Sequence, residues 1–351
     1  MKRWTRIVSV MILVALLALA AGCGSKPATT GENTNTPASN GPKKFTIGYD
    51  IYFVGNTWSV QMMQEFKGAA ERHKDELNDV VYTESEGKVD KQIANIEDMI
   101  AKKVDAIVVT PNSPSALAPV LEKAADAGIK VILSAAKADT DKYTALVTVD
   151  DVDFGRAGAE WLVKKLNGQG NIIALNGIAG ISVSDERWKG AKEVFDKNPG
   201  IKIVGVQAAD WDYAKAKAAT ASLLAANPKI DGVWSQGGEM TLGAIEAFQA
   251  ANRPLVPMTG EDNNGFLKKW KELQAKGFTA VAASKPTWLS AESLEVALKA
   301  LKGQQVTKDN YLPAPTITEE NLDKFVRADL PDSFWTQTKL TDDQIKALFQ
   351  K

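Results

Sequence analysis

The chain has 351 residues, of which 44% are hydrophobic, and carries 42 Lys and Arg against 43 Asp and Glu for a formal charge of −1. That balance, with no long basic run, excludes nucleic-acid binding through phosphate neutralisation. One histidine and one cysteine exclude zinc sites and histidine-based triads; paired-carboxylate hydrolysis stays open, but nothing marks one acid as its proton donor, so no metal, no cofactor and no catalytic residue is expected.

Taken in chain order, the first segment reads as a targeting signal. Lys2, Arg3 and Arg6 precede an apolar run from Ile7 to Ala21 and then Gly22. This is the order of a basic region, a hydrophobic region and a small-residue cleavage site. The apolar run is short for a membrane span, which takes roughly 20 residues. Leu19-Ala20-Ala21-Gly22-Cys23 resembles the lipobox of bacterial lipoproteins, with Ala20 where Leu is commonest. The expectation is that residues 1–22 are a signal peptide and that Cys23 is lipidated and becomes the mature N-terminus. The mature chain then has 39 basic against 43 acidic residues, a formal charge of −4, and no free thiol. Residues 24–43 contain no aromatic and no aliphatic larger than Ala. Such a stretch cannot bury enough surface to offset chain entropy and reads as a disordered tether. The expected location is extracytoplasmic, lipid-anchored to a bacterial cell membrane of the Gram-positive type, or in the periplasm of a species with two membranes.

From Phe45 the pattern alternates. Strands are predicted at 45–51, 80–85, 105–110, 130–134 and 144–150, with helices over 58–73, around 93–100, and over 115–127 ended by Gly128. His73, in a polar helical stretch, is expected at the surface. The alternation then restarts, with strands at 172–177, 203–208, 231–236, 255–260 and 279–284. A helix around 154–167 precedes them, helices around 184–197, 213–226, 239–252, 265–276 and 287–302 follow them in turn, and a last one covers 341–349. Strands alternating with helices imply an α/β fold with parallel sheets and helices on both faces. Two successive series imply two Rossmann-like, doubly wound lobes. Ligands of such sheets bind beyond the carboxyl ends of the strands, so the loops there carry the function. No Gly-x-Gly-x-x-Gly and no P-loop occupies them. The acids Asp150, Asp151 and Asp153 read as a strand end and helix start in preference to a cation site.

The strand-end loops instead hold Asn56-Thr57-Trp58, Arg187-Trp188, Asp210-Trp211-Asp212, Gly237-Gly238-Glu239 and Glu261-Asp262-Asn263. Flat indoles suit the C–H faces of a sugar ring, and Arg, Asp and Asn bridge neighbouring hydroxyls. Asn56, Trp58, Arg187, Trp211 and Asp262 are the first candidates for ligand contact. Trp161, Trp234 and Trp270 read as packing residues, and Trp188, Trp288 and Trp335 as packing more than contact.

Gly177-Ile-Ala-Gly180 with Glu186-Arg187, Asp210-Trp211-Asp212 and Glu239-Met-Thr-Leu-Gly-Ala244 resemble the ribose-binding type of periplasmic binding protein over about residues 45–315. The resemblance implies two lobes joined by a three-segment hinge and closing on one monosaccharide. It places 45–150 plus 285–314 in the N-terminal lobe and 151–284 plus 315–351 in the C-terminal lobe. It also assigns ring contact to Trp58 and Trp211, and hydroxyl contact to Asn56, Arg187 and Asp262. The chain departs from the pattern at Ala135-Ala136, where ribose binders carry Asp-Arg, and at Gly237, Gly238 and Ser284. These smaller residues imply a larger or differently shaped ligand, with Glu261, Asn263, Tyr49 or Asp50 supplying replacement contacts. The implied protein is a non-enzymatic sugar or polyol receptor of an ABC importer, a monomer that docks on the permease membrane subunits. A sensory receptor for a membrane kinase or chemoreceptor, or a nucleoside receptor of the same fold, are the alternatives. The tail after about 317 has no expected role beyond packing on the second lobe.

Overall fold

The computed structural model describes residues 43–349. The expected signal peptide, Cys23 and nearly all of the tether lie outside the described residues. In chain order the first series is β1 (Phe45–Ile51), α1 (Thr57–Arg72), β2 (Leu77–Glu84), α2 (Val89–Ala101), β3 (Ala106–Val109), α3 (Pro114–Asp126), β4 (Lys130–Ser134) and β5 (Ala145–Thr148). The second is α4 (Asp151–Lys165), β6 (Gly170–Asn176), α5 (Ser182–Asp196), β7 (Ile201–Ala208), α6 (Tyr213–Ala226), β8 (Gly232–Ser235), α7 (Gly238–Ala250), β9 (Met258–Glu261), α8 (Asn264–Gln274) and β10 (Ala280–Ala283). After these come α9 (Leu289–Leu301), β11 (Asp309–Tyr311), β12 (Thr316–Ile317) and α10 (Asp342–Phe349).

The strands form two six-stranded sheets, ordered β2-β1-β3-β4-β5-β11 and β7-β6-β8-β9-β10-β12. Every strand pair is parallel except β10 with β12. The inner strands β3, β5, β8 and β10 are buried throughout, as continuous apolar runs covered by helices on both faces require. Each sheet accordingly has a core on either side. Tyr49, Phe66, Ile132 and Leu294 lie on one face of the first sheet, with Ile107, Leu121 and Val131 on the other. Met240, Phe248 and Trp270 lie on one face of the second, with Leu162, Phe195 and Trp234 on the other. The strand expected from residue 255 starts only at Met258, because Pro254 and Pro257 bring no N–H to a ladder. β11 and β12 are too short to show a period.

The shared order gives each sheet one point where winding reverses, between β1 and β3 and between β6 and β8. The chain passes between lobes three times: after β5, after β10 (α9 packs on α1, β4 and β5) and between β11 and β12. The C-terminal tail corrects the expectation. It packs on both lobes, not on the second alone. Asn264 and Gly265 donate to the carbonyls of Phe334 and Asp332, whereas Gln61 and Glu65 of α1 bond Trp335 and Lys339.

His73 is half-buried and not a free surface group, since its two ring nitrogens meet Glu76 at 2.9 Å and Glu295 at 2.7 Å. Partial burial disfavours its charge, but the two carboxylates outweigh this and hold its pKa above the ordinary value.

Candidate functional site: a cavity between the lobes

The loops at the carboxyl ends of both sheets meet around a cleft whose empty space, counted out to its solvent-facing mouth, is about 570 Å³. The first lobe contributes Tyr52, Asn56, Trp58, Thr110, Ala135 and Ala136 to its wall. The second contributes Ile181, Val183, Arg187, Trp211, Gly237, Gly238, Glu239 and Glu261, and the hinge contributes Lys285. Trp335 of the tail completes the lining. The lobes touch across the rim, where Lys137 N donates to Ser182 Oγ at 2.9 Å and Lys137 Nζ meets Glu186 at 2.7 Å. Thr57 Oγ1 also donates to Glu239 across the cleft.

Asn56 has two uses. Its side chain accepts from Ser59 N at 2.8 Å, capping α1, and it lines the cavity. Trp58 lies on the first turn of α1, and its Nε1 donates to Lys285 O at 2.8 Å, which fixes the indole against the hinge. Arg187 is 2% exposed. Its Nε donates to Asp151 at 2.9 Å, its Nη1 to Gln236 O at 2.7 Å and its Nη2 to Glu261 at 3.0 Å. The guanidinium also lies 3.6 Å from the centre of the Phe154 ring, a desolvated cation–π contact. Burial opposes its charge, but Glu261 and Asp151 outweigh this and keep it protonated. Lys285 Nζ donates to Asp151 at 2.6 Å and to Ala135 O at 2.7 Å. The four side chains form a balanced cluster of two cations and two anions. Burial lowers the Lys285 pKa and raises that of Glu261 against the pull of Arg187.

The expected acid cluster divides. Asp150 caps α4 by accepting from Asp153 N, Asp153 pairs with Arg156, and Asp151 turns inward to Arg187 and Lys285. Among the described residues no group of His, Cys, Asp and Glu is arranged to hold a metal ion.

Trp211 stands in a strained conformation at φ +54°, directly after Asp210 at +53°, and Ala135 across the cavity is at +67°. Such values are rare for residues other than glycine and concentrate at binding sites. Thr148 Oγ1 and Lys285 Nζ both bond the Ala135 carbonyl, which holds that turn. The Trp211 indole fits because Gly177 and Gly237 have no side chain. A Cβ on them would sit 2.1 Å and 2.9 Å from its ring atoms. This alters the meaning of the small residues in the sequence. Gly237 makes room for Trp211, and Lys285 bonds the backbone at Ala135, so they do not by themselves signal a larger ligand. The Trp211 Nε1 and the Thr110 hydroxyl are buried without a protein partner, and both lie on the cavity wall.

Several expected contacts point elsewhere. Asp50 is fully buried but on the opposite face of β1, where Thr83, Gln92 and Asn95 donate to it at 2.6, 2.6 and 2.9 Å. Tyr49 is a core residue stacked near Phe66. Asp262 lies off the wall and accepts from Thr336 Oγ1 at 3.0 Å. Its burial, together with neighbouring Glu261, pushes its pKa up to about 7. Asn263 caps α8 by accepting from Phe266 N at 3.1 Å and pairs its backbone with Trp335. Asn56, Trp58, Arg187, Trp211 and Glu261 do come together. Sequence reasoning missed Tyr52, Asp151, Lys285 and Trp335. A tyrosine placed directly after the buried strand β1 was the available signal for one of them.

A family model described as a periplasmic binding protein domain matches residues 47–305. The chain belongs to the periplasmic binding protein family. Its two wound lobes are the type I architecture of that family. Among relatives, it is 28% identical over 313 residues to the ribose import binding protein RbsB of Bacillus subtilis, covering 89% of this chain and 99% of that one. It is 30% identical over 246 residues to a xylitol-binding protein of Mycolicibacterium smegmatis, covering 70% of each. A solved structure of an ABC transporter solute-binding protein from Bacillus halodurans with bound myo-inositol superposes with a TM-score of 0.73 at 25% identity, covering 82% of this chain and 99% of that one. No helix among the described residues of this periplasmic binding protein is long and apolar enough to cross a membrane.

Proposed function

We propose that the protein is the solute receptor of an ABC importer, binding one monosaccharide or polyol between its lobes and presenting the closed form to the permease. One observation carries this reading: the strand-end switch regions of both sheets open on one shared cavity. Its wall combines Tyr52, Trp58 and Trp211 with Arg187, Asn56 and two carboxylates. Aromatic faces stack on the C–H surfaces of a ring, while the charged groups exchange hydrogen bonds with hydroxyls. Bonds to charged groups contribute about 1.5–3 kcal/mol each, and about −8 kcal/mol is micromolar affinity. The named binding partners of the relatives, ribose and xylitol, and the myo-inositol held by the superposed structure, fit this chemistry.

Binding is expected to act by population shift. A ligand that touches both walls stabilises the closed arrangement by its differential affinity. No reaction is proposed, since the cavity wall holds neither histidine nor cysteine. Lipidation of Cys23, membrane anchoring through it and a monomeric state belong to the same proposal. The test is calorimetric titration with D-ribose, D-allose, xylitol and myo-inositol, alongside mass spectrometry of ligand co-purified with the protein. Binding of at least one at micromolar affinity or better is expected, and recovery of a nucleoside or of a chemically altered sugar would overturn the reading.

A further inference from the structure

The three crossings account for the two lobes, yet the chain continues for more than thirty residues beyond β12. Its first part belongs to the second lobe. The Asn264 side-chain amide donates to the carbonyls of Arg327, Leu330 and Pro331 at 2.8, 3.2 and 3.0 Å. Thr336 N and its hydroxyl both bond Asp262. The partners then change within one residue. Trp335 exchanges two hydrogen bonds with the buried Gln61 side chain of α1, each 2.9 Å. Gln337 O accepts from Thr287 Oγ1 at 3.1 Å, and Thr338 Oγ1 and Lys339 N donate to Glu65. Beyond them Leu340 and Gln344 lie so close to Gly68 that a Cβ there would sit 2.9 Å from the Gln344 amide.

We propose that Trp335 is a ligand-contacting residue, and that Trp335–Gln337 is a fourth interlobe crossing, a clasp that makes the tail part of the binding site. Three observations carry this. The Trp335 indole lines the cavity between the walls of the two lobes. Its Nε1 donates to Thr57 Oγ1 at 2.7 Å, and that hydroxyl in turn donates to Glu239, so a chain of hydrogen bonds runs from the tail through the first lobe to the second. The tail is also matched to a buried acid. Glu65 is 1% exposed and forms no ion pair among the described residues. It is held by hydroxyl and amide donors, of which Thr338 and Lys339 belong to the tail. A group buried in this way is costly to leave unmatched.

The mechanical consequence follows from the change of partners at Trp335. Rotating the lobes apart either carries the tail with the second lobe and breaks its bonds to Gln61 and Glu65, or leaves it on α1 and breaks those to Asp262 and Asn264. In both cases opening disturbs the position of Trp335, so tail docking and ligand binding are linked and each strengthens the other. The contact between Trp335 and ligand rests on the sugar-receptor reading; the clasp does not.

The experiment has one arm for each part. With whichever of D-ribose, D-allose, xylitol and myo-inositol binds the unaltered protein, Trp335→Ala is expected to weaken affinity at least tenfold and Trp335→Phe by less than threefold. Gln61→Ala, off the cavity wall, is expected to weaken it three- to tenfold. Trp335→Ala binding as tightly as the unaltered protein would overturn the contact. The second arm needs no ligand. Spin labels on Lys88→Cys in the first lobe and Lys215→Cys in the second, in a Cys23→Ser background, report the interlobe distance. Gln61→Ala is expected to broaden the distribution toward longer distances, and an unchanged distribution would overturn the clasp. If none of the four compounds binds the unaltered protein, the sugar-receptor reading fails together with the contact, while the distance measurement still decides the clasp.

Discussion

The two walls of the cavity are built from the same strand order but from different chemistry. The first lobe offers Tyr52, Trp58, Asn56, Thr110 and the paired alanines Ala135-Ala136, with no ionised side chain. The second lobe offers Arg187, Glu239 and Glu261 beside Trp211. The one cation that reaches toward the first wall, Lys285, comes from the hinge and is committed to Asp151 and the Ala135 carbonyl. A repeated architecture therefore does not repeat the same binding surface. One lobe presents a largely uncharged face, while the other holds a fixed array of charges whose internal pairing keeps it oriented before any ligand arrives.

The largest effect is expected where this asymmetry is removed. Arg187→Leu leaves Asp151 and Glu261 buried with only Lys285 between them. Breaking a buried ion pair from one side costs about 3–5 kcal/mol of stability. Binding should fall at least a hundredfold by calorimetry, with the loss of stability read from urea denaturation. An affinity within tenfold of the unaltered protein would move the polar recognition away from the second wall.

A smaller effect separates the two aromatic faces. Trp211→Ala is expected to weaken binding at least tenfold, and Trp58→Ala to weaken it less. The indole N–H of Trp58 is already spent on the Lys285 carbonyl, while that of Trp211 has no protein partner. Equal losses in the two variants would mean that stacking alone matters and the free donor does not.

The smallest effect on affinity is expected one residue beyond the charged wall. Asp262 follows Glu261 directly but turns to the tail, so Asp262→Asn should change affinity by less than threefold. Its effect is on the pH dependence of stability. The folded-state pKa of about 7 lies above the ordinary 3.8, so the folded protein holds this proton more tightly than the unfolded chain. The resulting stabilisation is full below about pH 4 and is lost as pH rises through about 7. The asparagine variant escapes that loss. It should match the unaltered protein at pH 4 and exceed it by about 2–4 kcal/mol at pH 8 in denaturant titrations. Equal stability at both pH values would show that the carboxyl titrates normally.

The alternation of strands and helices was legible along the whole body because a buried strand reads as a short apolar run and a covering helix repeats at 3.6 residues. Trp211 was legible for a related reason, since residues just past a strand end have few places to go except the cleft, whereas Arg187, expected in a strand-end loop, reaches the cavity from within α5. Asp50 shows where that reasoning stops. Successive side chains of a strand point to opposite faces, and Asp50 falls on the face where Gln92 and Asn95 of α2 await it. Gly237 looked like a lost contact, but with Gly177 it is the room that Trp211 occupies. Trp335 and Lys285 could not be placed, because what brings them to the cavity is the return of the chain from far along its length.

That return also bears on how the protein is made. The edge strand β11 closes the first sheet by pairing Asp309 with Leu146, and α9 covers β4 and β5 from beyond the entire second lobe. Neither lobe is a continuous stretch of chain, so neither completes its core until nearly all of the polypeptide has been delivered. Long-range pairing of this kind slows folding. A chain bound for the far side of a membrane would thereby stay unfolded, and fit for passage, until its last segments emerge.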